Sequence, residues 1–131
     1  MPLTIPISDA GLRLAAHLYN SNMKLHGGKL EAVQNGEGLK GLQRRAQVSD
    51  IECGQSSTIE PDPWQTDTCI GDWHYYRRVF DQHRYKTATT VVHILADIVS
   101  KNGNLLLSIP VRSDGTLDSD GLTVLRGITT G

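Results

Sequence analysis

Between Pro63 and Arg78 the chain reads Pro-Trp-Gln-Thr-Asp-Thr-Cys-Ile-Gly-Asp-Trp-His-Tyr-Tyr-Arg-Arg. Six of the seven aromatic residues of the protein lie between Trp64 and Tyr85: Trp64, Trp73, Tyr75, Tyr76, Phe80 and Tyr85. They form no apolar run, being interleaved with Gln65, Asp67, Asp72, His74, Arg77 and Arg78. That mixture suits a sugar. Flat rings cover the C–H face of a pyranose, and carboxylates, amides and imidazoles meet its hydroxyls. An aromatic cluster that pins a loop to the protein body has the same composition, so both readings stay open on residues alone.

The elements that must hold this segment read as helix and strand in alternation. Ser8 and Asp9 make a helix start, with Leu12, Ala15, Ala16, Tyr19 and Met23 on one face and a stop at Gly27-Gly28. Leu30 to Val33 reads as a short strand, Gly38 to Arg44 as a polar turn of helix, and Gln47 to Glu52 as a second strand. The span 53–86 shows only a brief strand-like piece at Thr66 to Ile70 and is expected to be a long functional loop region. Thr87 to Lys101 places Val91, Ile94, Leu95 and Ile98 at helical spacing, with Asn102-Gly103 as a left-handed stop. Leu105 to Ile109 is a nearly unbroken apolar strand, expected where both faces of a parallel sheet are covered. Ser119 or Asp120 caps a last helix carrying Leu122, Leu125 and Ile128. The alternation implies a parallel α/β sheet, with too few strands for a closed barrel.

Composition narrows the partners. The chain has 131 residues, 38% of them hydrophobic, and a formal net charge of −1, so it carries no electrostatic footprint for nucleic acid or an anionic membrane. No stretch approaches the length of a spanning helix. The opening Met-Pro-Leu-Thr-Ile-Pro-Ile lacks the basic and apolar regions of a secretory signal. Cys53 and Cys69 have no zinc-type spacing, so no metal is expected, and their redox state is left open.

Three stretches together resemble the α-L-fucosidases of glycoside hydrolase family 29: Pro63 to Tyr75, Leu95 to Leu107 followed by Asp114-Gly115-Thr116, and Leu14 to Asn20. The resemblance covers essentially the whole chain, in order. It implies the C-terminal portion of a (β/α)8 TIM barrel with its active site at the carboxyl ends of the strands, and residues 1–131 as an incomplete part of that domain. It further implies a retaining exo-glycosidase, without cofactor, that releases terminal α-L-fucose from fucosylated oligosaccharides or glycoconjugates. In such a mechanism an aspartate attacks the anomeric carbon, and a second carboxyl, roughly 5–5.5 Å away, protonates the leaving oxygen and later activates water.

By this resemblance Glu52, closing its strand, is the general acid/base, with Glu60 as the rival. Trp73 matches a position where the family places an aromatic against the sugar, and Trp64 is the second pocket candidate; plain packing is the alternative for each. His74 reads as hydroxyl-binding or structural, His17 and His93 as helix residues without a chemical role, and Asp67 and Asp72 as loop-orienting groups. One departure matters: family members often carry arginine after the acid/base glutamate, where this chain has Cys53. The residues ahead of the first helix contain no carboxylate, so the nucleophile and its strand are expected upstream of Met1, and the chain alone is expected to be inactive. The family also suggests a periplasmic or extracellular setting. Two other classes compete: a non-catalytic fucose-binding remnant of the barrel, and an unrelated α/β domain whose loop serves a protein partner.

Overall fold

The computed structural model describes residues 9–130, and the chain divides into two compact units, one ending at Asp50 and the other beginning at Ile51. Each is described separately.

In the first unit, helix α1 spans Asp9–Leu25; Ser8, expected as its start, lies outside the described residues. The helix ends as its glycines dictate: Gly27 and Gly28 take φ of +63° and +91°, and the Gly28 N–H reaches back to the Met23 carbonyl at 2.8 Å. Of the face expected to be apolar, only Ala15 is buried, while Leu12 and Met23 are exposed. The strand expected at Leu30 to Val33 is absent. The chain there is irregular, and β1 forms instead at Asn35–Glu37. A 3-10 turn at Gly41–Arg45 leads to β2, Val48–Glu52, which pairs parallel with β1 through Asn35↔Val48 and Glu37↔Asp50. β1 contains no apolar side chain, so its pairing with β2 and not its own composition makes it a strand.

The second unit is built on a β–α–β–α order. β3 spans Trp64–Cys69, α2 Arg77–Asp81, α3 Ala88–Ser100, β4 Gly103–Ser108 and α4 Ser119–Thr130. β3 and β4 pair parallel from Trp64↔Gly103 to Cys69↔Ser108. The expected loop region 53–86 therefore contains a full strand and a short helix. The strand-like piece expected at Thr66 to Ile70 is the later part of β3, which begins two residues earlier; its Trp-Gln-Thr-Asp-Thr-Cys sequence alternates polar residues with the buried Trp64 and Thr66.

The core of this unit is Ile70, Val91 and Val124, with Tyr85, Leu107, Ile109 and Ile128 packed around it. Thr87 caps α3, its hydroxyl oxygen accepting the Thr90 N–H at 3.2 Å. Asn102, at φ +67°, turns the chain from α3 into β4. Two expectations are corrected here. Asp118, not Ser119 or Asp120, caps α4: its Oδ1 accepts the Gly121 N–H at 2.7 Å and its carbonyl accepts the Leu122 N–H at 3.0 Å. β4 is not covered on both faces, since Leu105 and Leu107 are partly buried while Leu106 is 55% exposed.

Candidate functional site

β3 and β4 end together at Cys69 and Ser108, and the pairing runs one step further through the Ile70 N–H to the Ser108 carbonyl at 3.1 Å. Beyond that point the two chain segments diverge and leave a cavity of about 640 Å³ between them. Trp73, His74, Tyr75 and Arg77 wall it on one side, and Ile109 to Asp114 on the other. The volume lies within the range of small-ligand sites, and its location beyond the carboxyl ends of parallel strands is where α/β folds bind ligands.

Local structure holds this wall in place. Asp72 accepts the Trp73 N–H at 2.8 Å, and Trp73, 38% exposed as a residue, lines the cavity. Gly71 is required beneath it, because a Cβ there would lie 2.5 Å from the Tyr85 ring. On the opposite side, the Arg112 N–H donates to the Thr116 carbonyl and the Gly115 N–H to the Arg112 carbonyl, both at 2.9 Å. This turn, with Gly115 at φ +82°, fixes the backbone of Arg112. Its guanidinium sits over the rings of both Tyr75 and Phe80, 5.8 and 5.7 Å from their centroids. A side-chain hydrogen bond to Tyr75 raises the Arg112 pKa above its ordinary value. Asp114 is held below the usual carboxylate range, chiefly by the Thr116 hydroxyl at 2.7 Å and the Thr116 N–H at 2.9 Å. It is therefore an anion at neutral pH and no proton donor.

The base of the site is tied down by Asp118. Its Oδ2 accepts the Tyr85 hydroxyl at 2.7 Å while its Oδ1 caps α4, and its side chain is fully buried. Burial and then this hydrogen bond raise the Tyr85 pKa far above that of a free tyrosine. His83 Nδ1 lies 2.7 Å from Asp120 Oδ2, adding a second polar tie between the same segments.

The candidates from the sequence separate in space. Trp73 and His74 line the cavity. Trp64 sits at the other end of β3, 2% exposed, with its Nε1–H donating to the Lys101 carbonyl at 2.9 Å. That is the packing arrangement, and Gly103 permits it, since a Cβ there would lie 2.6 Å from the indole ring. Glu60 is at that same end: its N–H donates to the Lys101 carbonyl at 3.2 Å and its Oε1 accepts the Ser56 hydroxyl at 2.7 Å. Glu52 closes β2 with an exposed side chain and does not line this cavity.

The backbone around Glu52 is nonetheless fixed. The Thr66 hydroxyl lies 2.8 Å from the Ile51 carbonyl and 2.7 Å from that of Gly54. The Cys53 N–H donates to Asp67 through both the carbonyl at 3.2 Å and Oδ1 at 3.1 Å. Cys53 takes φ +49°, and burial, followed by the nearby Asp67, pushes its thiol pKa up. Cys53 is thus a neutral thiol. Cys53 and Cys69 are both free and line a second cavity of about 510 Å³ beside Thr66 and α3.

Sequence reasoning missed Arg112 and Asp114. The signal available was position: both fall in the loop directly after β4, the strand end at which parallel sheets place function.

The protein is thus a parallel α/β protein with its open cavity beyond the strand ends. A family model for α-L-fucosidase matches residues 11–130, and the chain belongs to that family. Among solved structures, an α-L-fucosidase matches with a TM-score of 0.67 at 22% identity, over 90% of this chain and 25% of its own length. The α-L-fucosidase of Vibrio sp. strain EJY3 matches with a TM-score of 0.63 at 16% identity, over 90% of this chain and 21% of its own. The Thermotoga maritima α-fucosidase in complex with a mechanism-based inhibitor gives 0.58 at 24%, over 82% and 22%. At these identities the likeness speaks for the fold. The chain spans about a quarter or less of the length of these structures. A search of curated protein sequences returns no match.

Proposed function

We propose that these 131 residues form the late part of the (β/α)8 barrel of a retaining α-L-fucosidase that removes terminal α-L-fucose from fucosylated glycans. The observation that carries this reading is the cavity walled by Trp73 beyond the carboxyl ends of β3 and β4, in a chain of the α-L-fucosidase family. Trp73 covers the apolar face and methyl group of fucose. The polar groups opposite it, Ser113 and Asp114 among them, offer partners to the hydroxyls.

Glu52 is the acid/base in this reading, in preference to Glu60. It closes a strand, and the turn that follows is held by Thr66 and Asp67, giving the rigid support that proton transfer requires. Glu60 is engaged with Ser56 at the amino end of β3 and β4, away from the cavity. Glu52 protonates the glycosidic oxygen as the C–O bond breaks, then takes a proton from the water that releases fucose. An acid in this role needs desolvation or a neighbouring carboxylate to keep its proton. Cys53, a neutral thiol, supplies neither.

The reading makes a direct demand on the 131-residue polypeptide: it binds L-fucose at Trp73 and hydrolyses no aryl α-L-fucoside. Titration with L-fucose, followed by the Trp73 indole N–H signal, tests the first part, and a chromogenic fucoside tests the second. Steady hydrolysis abolished by Glu52→Gln would overturn the missing nucleophile. A Trp73 signal that fucose leaves untouched would overturn the sugar pocket.

A further inference from the structure

The cavity is formed by two segments that share no regular secondary structure with each other: the stretch after β3 that carries Trp73 to Tyr75, and the loop after β4. Something must set their separation, because a sugar stacked on Trp73 tolerates little change in the position of the opposite wall. The aromatic residues of the first segment do not supply it by burial, since Tyr75 and Phe80 are only partly buried and Tyr76 is exposed. Arg77, at the rim, is turned to its own helix, with Nε 3.5 Å from Asp81 Oδ2.

Arg112 makes the connection. It stands in the loop after β4, on the turn closed by Thr116 and Gly115, which sets its backbone conformation. Its guanidinium lies over two rings of the other segment, Tyr75 at 5.8 Å and Phe80 at 5.7 Å. Tyr75 is two residues from Trp73, and Phe80 is in α2, the helix in which the aromatic segment ends. A cation within reach of two rings ties both to the loop that carries it.

We propose that Arg112 is a positioning residue, whose contact with Tyr75 and Phe80 fixes the Trp73 wall against the loop after β4 and so sets the width of the fucose pocket. The inference rests on the sugar-binding reading of this cavity for its functional consequence, but the clamp itself is testable without sugar. Arg112 lines the loop side of the cavity, and the proposed effect runs through its contact with the two rings. Its effect belongs to binding geometry.

The protein supplies its own control, because it has two tryptophans at opposite ends of β3. In a nitrogen-15 correlation spectrum the Trp64 indole N–H, bonded to the Lys101 carbonyl, reports the fold, and that of Trp73 reports the pocket. Arg112→Ala is expected to shift the Trp73 indole signal, leave the Trp64 signal in place, and weaken L-fucose binding about tenfold, as a displaced pocket wall would. Arg112→Lys, which keeps a cation over the rings, is expected to restore much of both effects, and Arg112→Gln is expected to behave as alanine. An unmoved Trp73 signal with unchanged fucose affinity in Arg112→Ala would overturn the proposal. So would a shift of both indoles that lysine fails to rescue, because Arg112 would then be a general stabiliser of the unit. If the unsubstituted chain ignores fucose, the sugar reading fails, and the Trp73 response to Arg112→Ala still decides the clamp.

Discussion

The two ends of the β3–β4 pair use the same residue type for opposite purposes. At the amino end Trp64 is buried against Gly103 and Ile98, its one polar atom satisfied by a backbone carbonyl. At the carboxyl end Trp73 stands partly exposed on the wall of a cavity, with only its backbone N–H held by Asp72. At the first end the Lys101 carbonyl accepts from both the Trp64 indole and the Glu60 N–H, so packing and hydrogen bonds act together. The second end adds, to the core around Ile70, ties that involve side chains of the open end: Arg112 with Tyr75 and Phe80, Tyr85 with Asp118, and His83 with Asp120. A strand pair built this way anchors one end and leaves the other open for a ligand, as parallel α/β folds do.

The largest expected effect breaks the anchored end. Trp64→Ala removes a fully buried indole and leaves the Lys101 carbonyl without that donor, so it should cost about 3–5 kcal/mol. Denaturant unfolding would register this as a lower midpoint. A cost below about 1 kcal/mol would mean that Trp64 is not the anchor and that the contrast between the two ends is false.

Next comes Gly103→Ala. Its added Cβ would meet the Trp64 ring at 2.6 Å and the Ile98 side chain at 2.7 Å, both in a packed interior. About 1–3 kcal/mol of destabilisation is expected, measured in the same way. Trp64→Phe in the Gly103→Ala background should recover part of that cost, since a smaller ring relieves the clash.

The third prediction separates the ends by pH. Tyr85 has a folded pKa raised above the value of about 10 that it has when unfolded. Its contribution to stability is therefore fully present below about pH 10 and lost as the pH rises from there toward the folded value. Thermal melts across the alkaline range should show a fall that Tyr85→Phe flattens. At neutral pH that substitution should cost about 1 kcal/mol, by removing the hydroxyl bonded to Asp118. The Trp73 signal should respond to alkali before that of Trp64, because Tyr85 packs beside Gly71 at the open end.

The legibility of these parts in the sequence follows the range of the interactions that make them. α3 and β4 stand within two residues of their expected limits, because helical spacing at Val91, Ile94 and Ile98 and the Asn102-Gly103 stop are local signals. β1 was misplaced because Leu30 to Val33 is the more apolar run, whereas Asn35–Glu37 has the backbone partner. Asp118, Ser119 and Asp120 are adjacent residues that all suit a cap, and only in the fold does Asp118 stand apart, with one oxygen on the Gly121 N–H and the other on the Tyr85 hydroxyl. The site divides in the same way. Trp73 stood out by its neighbours in sequence, but Arg112 gains meaning only when the fold brings it over Tyr75 and Phe80. The resemblance ranks Trp73 ahead of Trp64 as a pocket residue, and the two differ in burial, 38% against 2% exposed.

The smallest effect on stability is expected where the effect on binding is greatest. Trp73→Ala removes a ring that is already 38% exposed and makes no side-chain hydrogen bond among the described interactions, so the unfolding midpoint should change by less than about 1 kcal/mol in free energy. The same substitution removes the flat surface on which the proposed fucose stacks, and calorimetry with L-fucose should then lose its binding signal. Paired with Trp64→Ala, this makes a double dissociation: one tryptophan governs folding and the other governs ligand. If Trp73→Ala proved as destabilising as Trp64→Ala while leaving fucose binding intact, the aromatic segment would be scaffolding at both ends, and the open cavity would have to be assigned to something other than sugar.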